Sequence, residues 1–196
     1  MAKIEGIIFD MDGTLTVPIL DFGEIRRQIG IDSGPVWEAI VAMAPEQRRR
    51  AEEILLRHEI ESSRMCELQP GVMELFAELE RRKMPMAILT RNCRAAWETL
   101  RKRFGFSLDR VYAREDGPMK PDPTPVIRLA KEMNIALANI LCVGDYLFDI
   151  QAGKCAGTQT ALLVNHGQIP DFAGEADYVI HSLLELPTII DACLTI

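Results

Sequence analysis

The chain has 196 residues, 48% of them hydrophobic, and a formal net charge of −7. That length supports one core with a small insert, and the acidic balance excludes a broad basic surface for nucleic acid. No run approaches the roughly 20 apolar residues of a membrane helix, acids at Asp10 and Asp12 cut the first apolar run too early for a signal peptide, and five scattered cysteines with no CxxC pair read as free thiols of a reducing cytoplasm.

In chain order, Ile7-Ile8-Phe9 is β-branched and aromatic and predicts a buried strand. It ends in Asp10-Met11-Asp12-Gly13-Thr14, two carboxylates two residues apart beside a glycine that lets the backbone bend. Phe22, Ile25 and Ile29 keep helical spacing. Pro35 suits the first turn of a helix carrying Val36, Ile40 and Met43, and Pro45 opens a third helix running from Glu46 through Ile60. Arg48-Arg49-Arg50 is followed by Glu52 and Glu53, a solvated face. Pro70-Gly71 punctuates this block.

Strands and helices then alternate. Val72 to Lys83 is amphipathic, with Leu75, Phe76 and Leu79 on one face. Met86 to Leu89 is a strand closed by Thr90, Ala95 to Phe104 a helix, and Arg110 to Ala113 a short strand. Pro123 to Met133 predicts a helix capped by Asp122, with Val126, Ile127 and Ala130 turned inward. Ile140 to Val143 is a strand ending in Gly144-Asp145, and Leu147 to Cys155 a helix. Thr160 to Val164 and Tyr178 to Ile180 are the last strands, and Leu183 to Leu194 the last helix. Trp37 and Trp97 fall at apolar helical positions and read as core.

Repeated βα units with continuously apolar strands imply an α/β fold: a Rossmann-like, three-layer parallel sheet with helices on both faces. The core is expected over 1–16 and 70–196, with a small α-helical cap at 17–69 inserted after the first strand, where a mobile lid would sit. In such sheets ligands bind outside the carboxyl ends of the strands. Asp10, Thr90 and Asp145 each close an apolar strand, and Lys120 lies in the loop after the short one. Asp145 and Asp149 are four apart and can share a face over one helical turn. Four carboxylates near one site call for a hard divalent ion, and Mg²⁺ suits carboxylates plus substrate phosphate. His58, His166 and His181 do not cluster, so an imidazole site is not expected. With Lys120, the Thr90 hydroxyl and backbone amides near Gly13 and Arg91, the set suits phosphoryl transfer through an aspartyl-phosphate.

The chain resembles the haloacid dehalogenase (HAD) superfamily, and within it phosphatases similar to phosphoglycolate phosphatase. The residues that carry the likeness are Ile8-Phe9-Asp10-Met11-Asp12-Gly13-Thr14-Leu15, Ile88-Leu89-Thr90-Arg91-Asn92, Lys120-Pro121-Asp122-Pro123, Gly144-Asp145 with Asp149, and Pro70-Gly71-Val72 with Leu75. The resemblance implies Asp10 as nucleophile and metal ligand, and Asp12 as general acid/base that touches Mg²⁺ through its backbone carbonyl. It implies Thr90, Arg91 and Lys120 around the phosphoryl group, Asp145 on the metal, and Asp149 in or behind the metal's inner shell. Asp12 also argues against dehalogenation, since the family's dehalogenases lack that acid. Tyr146 replaces a small polar residue, Arg91-Asn92 replaces a more usual pair, and the insert is shorter than fuller family caps, departures that bear on substrate rather than reaction. The expectation is a Mg²⁺-dependent, cytoplasmic phosphatase of a small phosphorylated metabolite, monomeric or homodimeric, with no nucleic-acid or membrane partner. A sugar-phosphate phosphomutase and a non-catalytic binding module on the same fold are the alternatives.

Overall fold

Each short apolar run bounded by turn residues becomes a strand. The computed structural model describes residues 2–165 and 167–193. Its strands are β1 (Gly6–Phe9), β2 (Met86–Leu89), β3 (Val111–Tyr112), β4 (Ile140–Gly144), β5 (Gln159–Leu163) and β6 (Tyr178–Ile180). They form one sheet in the order β3-β2-β1-β4-β5-β6, parallel throughout. The helices are α1 (Phe22–Ile29), α2 (Val36–Val41), α3 (Pro45–Met65), α4 (Val72–Arg81), α5 (Arg94–Phe104), α6 (Thr124–Met133), α7 (Leu147–Ala156) and α8 (Leu186–Ala192). From β1 the chain steps outward to β3, then returns to β4 and steps outward the other way. The strand order therefore reverses between β1 and β4, the place where such sheets open a crevice at their carboxyl ends.

The chain forms two compact units. The larger holds Met1–Val17, Glu67–Arg94 and Ser107–Ile196, and the smaller holds Pro18–Cys66 with Ala95–Phe106. In the larger unit successive strand residues face opposite ways. Ile8, Ala87, Leu89 and Cys142 pack with Val126, Leu129 and Ala130 of α6 and with Ala152 of α7. On the opposite face Phe9 meets Phe76 of α4 with ring centroids 5.5 Å apart. The chain on either side of the smaller unit is paired: Val17 N–H donates to Glu67 O (2.8 Å), Gln69 N–H to Leu15 O (2.9 Å), and Thr16 bridges Leu68 antiparallel.

In the smaller unit Ile25, Val36, Ile40, Ala51 and Leu55 form the core, with Trp37 packed against it. Asp21 caps α1 by accepting from Glu24 N–H at 2.9 Å. Trp97 is fully buried and stacks on Phe106 with centroids 5.8 Å apart.

Several boundaries differ from those expected. The helix expected to end at Ile60 continues to Met65, with Ser62 and Ser63 buried and the Ser63 hydroxyl donating back to the Ile60 carbonyl (2.8 Å). Met43 lies beyond the end of α2 yet still packs on the small core. The Arg110–Ala113 strand contracts to two residues at the sheet edge, where it pairs on one side only. The last helix breaks into a 3₁₀ turn at Leu183–Glu185 and then α8, with Pro187 in its first turn. Leu194, its expected end, and His166 lie outside the described residues. In α6 Ile127 is 45% exposed, and Leu129 (1%) takes the inward position expected of it, because Val126, Leu129, Ala130 and Met133 make the buried stripe.

That correction is testable. Leu129→Ala should cost about 2–5 kcal/mol of unfolding free energy in a denaturant titration. Ile127→Ala should stay within about 0.5 kcal/mol. Equal losses would mean the helix is rotated from the orientation described.

Candidate active site

The parallel sheet delivers the site. Asp10 follows the last residue of β1, and its backbone N–H donates to Val143 O of the adjoining strand at 2.9 Å. The chain then coils tightly: Leu15 and Thr16 N–H donate to Met11 O at 2.9 and 3.1 Å, and Gly13 N–H to Thr16 O at 2.9 Å. Asp12 is thereby presented two residues beyond Asp10 on the same turn. β4 ends at Gly144, so Asp145 and the first turn of α7 come up beside it. Two glycines make the room. Gly13 has φ +92°, and a Cβ there would lie 2.1 Å from Asp145 Oδ2. A Cβ on Gly144 would lie 2.2 Å from the Cβ and Cγ of Asp149.

At the centre is the Lys120 side chain, 3% exposed. Its ammonium donates to Asp10 Oδ1, to Asp149 Oδ1 (2.6 Å) and to the Leu89 carbonyl (2.8 Å). The other Asp149 oxygen accepts from Tyr146 N–H at 3.0 Å, so both oxygens of that carboxylate are engaged. Burial alone would drive the ammonium toward neutrality, but Asp10 and Asp149 outweigh it and hold the lysine charged. Burial pushes Asp10 well above the ordinary carboxylate range, with Lys120 pulling the other way. Asp145 is half-buried, and its carboxyl is pushed up to about 7, first by burial and then by the charge of Asp149.

Asp12 sits in different company. It keeps some surface open, yet the surrounding protein is dense enough that burial raises its carboxyl. Opposing this are the Asn92 side-chain amide, which donates to Asp12 Oδ2 at 3.0 Å, then the charge of Lys120, then the Thr90 hydroxyl. Asn92 is itself aimed, because Cys93 N–H donates to its Oδ1 at 2.7 Å and leaves the NH₂ for Asp12. Thr90 also accepts from Asn92 N–H at 2.9 Å.

The structure thus brings together Asp10, Asp145, Asp149 and Lys120, with Asp12 and Thr90 beside them. Carboxylate oxygens of Asp10, Asp145 and Asp149 all lie within 4.8 Å of one another. One ammonium cannot offset that much negative charge, and an all-oxygen donor set fits a hard cation such as Mg²⁺. Arg91 turns its side chain aside: its guanidinium donates to the Lys120 carbonyl and lies over the Phe148 ring, 5.0 Å from the centroid. Tyr146, 56% exposed, stands edge-on to Phe148 and Phe172. Asp122 caps α6 as expected, accepting from Thr124 N–H at 2.7 Å. The sequence reading assigned no role to Asn92, Gln69 or Asn165, although each places an amide on the Asp12–Gly13 turn. Amides carry no spacing pattern. The one clue was Asn92's position two residues past a polar strand end.

Gly13→Ala would force a side chain into the left-handed region and onto the Asp145 carboxylate. It should cost about 1–3 kcal/mol of stability. Phosphate release from a nitrophenyl ester should fall about 10²-fold, through misplacement of the carboxylates. Thermal melts and phosphate release, measured on the same preparation, check both effects.

The chain compares with known proteins as follows. Residues 4–157 match the haloacid dehalogenase-like hydrolase family. The chain is 30% identical over 210 residues to a haloacid dehalogenase-like hydrolase domain-containing protein of Arabidopsis thaliana, spanning 93% of this chain and 84% of that one. It is 29% identical over 221 residues to the N-acetylmuramic acid 6-phosphate phosphatase of Pseudomonas putida, spanning 98% of each. A hydrolase from Pseudomonas syringae shares the fold, with a TM-score of 0.83 over 96% of this chain and 98% of that one at 20% identity. The fold, the four-carboxylate site and these likenesses agree: the chain belongs to the haloacid dehalogenase-like hydrolase family and is a hydrolase of its phosphatase kind.

Proposed function

We propose that this enzyme is a Mg²⁺-dependent phosphatase that hydrolyses a small-molecule phosphate monoester through an aspartyl-phosphate on Asp10. The observation that carries the reading is the difference between two carboxyls on one turn: Asp10 faces the Lys120 ammonium, while Asp12 faces the neutral Asn92 amide. At Asp10 the cation opposes the burial that raises its carboxyl, and so favours the anion a nucleophile needs. A carboxyl raised by burial can hold the proton that a general acid must give.

An Asp10 oxygen attacks phosphorus, and the bond to the ester oxygen breaks. Asp12 gives its proton to the departing alkoxide. Water then attacks the phosphoryl-Asp10, Asp12 takes the water's proton, and inorganic phosphate leaves as the Asp10–phosphorus bond breaks. Thr90 and the Arg91 amide hold phosphoryl oxygens, and Lys120, whose three N–H groups are taken by Asp10, Asp149 and Leu89 O, balances charge on Asp10 and the phosphoryl group. Asp10, the Asp12 backbone carbonyl and Asp145 are the proposed Mg²⁺ ligands, with Asp149 orienting Lys120 from behind. When bound, Mg²⁺ supplies the positive charge that lets carboxylates and a phosphate dianion share one site.

The N-acetylmuramic acid 6-phosphate phosphatase among the relatives supports a small phosphorylated metabolite as the substrate class. The segment 17–69 is the proposed cap that sets substrate choice, a reading supported by its insertion between the first carboxylate pair and the rest of the core. Among the described residues no helix is long and apolar enough to cross a membrane. No disulfide joins the five cysteines, and burial pushes the Cys142 thiol up to about 12. Both suit the proposed cytoplasmic location.

Two measurements test this. Chelation with EDTA should abolish phosphate release and added Mg²⁺ should restore it; full activity with no metal by elemental analysis would refute the metal. Asp12→Asn should slow phosphoryl transfer from alkyl phosphates by roughly 10²–10⁴-fold. It should largely spare the first step with nitrophenyl phosphate, whose leaving group departs without a proton. A rapid-mixing trace should then show a nitrophenolate burst and a slow steady state, while Asp10→Asn shows no burst. Equal loss with both leaving groups in Asp12→Asn would show that Asp12 does not handle the proton.

A further inference from the structure

The turn that carries Asp12 contains the residue least able to hold itself in place. Gly13 has no side chain to restrict its own φ and ψ, and it sits at φ +92°. Its two flanking peptides must therefore be held by other groups. The peptide before it is held by Gly13 N–H donating to Thr16 O at 2.9 Å. The peptide after it presents the Gly13 carbonyl, and two side-chain amides from distant parts of the chain converge on that one oxygen. Gln69 Nε2 donates to it at 3.1 Å, and Asn165 Nδ2 donates to it as well. Gln69 is 6% exposed, and its backbone is fixed by Gln69 N–H to Leu15 O (2.9 Å). Asn165 lies two residues past β5 and follows Val164, whose N–H is paired with Ile180 O at 2.8 Å.

We infer that Gln69 and Asn165 are positioning residues for the general acid, clamping the Gly13 carbonyl so that Asp12 meets the leaving group in one orientation. Neither touches the reacting atoms. A carbonyl has two lone pairs, so both donors can be accepted at once. With ψ of Gly13 fixed from one side and the Asp12 carboxyl held by Asn92 from the other, the acid keeps no free rotation at either end. Loss of one amide leaves the other holding the carbonyl. Loss of both frees the glycine, and the acid is displaced while Asp10, anchored by β1 and Lys120, stays where it is. The inference rests on Asp12 being the proton donor.

The experiment uses the full chain and compares an alkyl phosphate with nitrophenyl phosphate. Gln69→Met removes one donor at nearly constant volume and Asn165→Ala removes the other. The two are also combined, and Asp12→Asn serves as the reference. Each single variant should lose less than tenfold in kcat/KM on the alkyl ester. The double variant should lose about 10²-fold, more than the product of the single losses. The burst rate with nitrophenyl phosphate should fall at least tenfold less than the alkyl-ester rate in the double variant, since it escapes the protonated step and shares only the Asp12 carbonyl's place on the metal. Melting curves show whether each variant is folded. Equal losses on both esters, or no loss in the double variant, would overturn the clamp. If Asp12→Asn itself fails to separate the two esters, the role of Asp12 falls and the clamp falls with it. If Asp12→Asn separates them and the amide variants do not, the clamp alone falls.

Discussion

The buried contact of the Lys120 ammonium with Asp10 and Asp149 is the constraint around which the carboxyl end of the sheet is arranged. Taking an ammonium and two carboxylates out of water costs several kcal/mol per ion after relaxation, and their mutual attraction returns this only when the geometry is good and the remaining polar atoms are satisfied. Here they are: the third lysine donor goes to Leu89 O, and the second Asp149 oxygen takes Tyr146 N–H. The contact joins the ends of β1 and β2, the loop before α6 and the first turn of α7. An apolar trio of similar volume would hold these elements together as well or better. Stability alone therefore does not account for the charges. Their use is electrostatic, a fixed cation at the point where a dianionic phosphoryl group has to be accepted.

The sheet topology makes that arrangement possible. Parallel strands send every carboxyl end to the same edge, and reversal of strand order between β1 and β4 opens the crevice where Asp10 and Asp145 face each other. Close approach then becomes the difficulty, since the carboxylates must come nearer than side chains on neighbouring strands normally do. Gly13 and Gly144 remove the obstruction, each at a point where a methyl group would overlap a carboxylate side chain. The conformational freedom this introduces at Gly13 is then withdrawn by hydrogen bonds to its amide and its carbonyl.

Much of this was legible in the sequence. Apolar runs ending in Asp10, Thr90 and Asp145 place three polar residues at strand ends with little need of tertiary detail, because a strand buried on both faces has to be apolar along its length. Burial on a short helix was harder to read. In α6, Val126, Ile127, Leu129 and Ala130 allow two overlapping apolar stripes, and packing against β1, β2 and β3 selects the one with Leu129. The expected end of α3 was Ile60, the last apolar residue before Glu61-Ser62-Ser63-Arg64, whereas the helix runs on to Met65 with Ser62 and Ser63 buried. Asn92, Gln69 and Asn165 were not legible as site residues. An amide hydrogen bond reaching across 56 or 152 residues has no local pattern, and it becomes visible only once the Gly13 carbonyl has a place in space.

The division of labour between Asp10 and Asp12 follows from the same point. The two side chains are chemically identical and two residues apart, so nothing intrinsic distinguishes nucleophile from acid. Their surroundings do. Asp10 lies against a charge that cannot move away, because Lys120 is held by three acceptors. Asp12 hydrogen-bonds to dipoles, the Asn92 amide and the Thr90 hydroxyl, and feels Lys120 only through its charge. Burial raises both carboxyls, and at Asp10 it is a lysine in direct contact that opposes it. A nucleophile uses that fixed cation as its partner, whereas a group that gives a proton in one step and takes one in the next needs partners that tolerate either form. Two carboxyls on one turn can serve both needs only if the turn is rigid enough to keep them in separate environments, and that makes the hydrogen bonds around Gly13 as much a part of the site as the acids themselves.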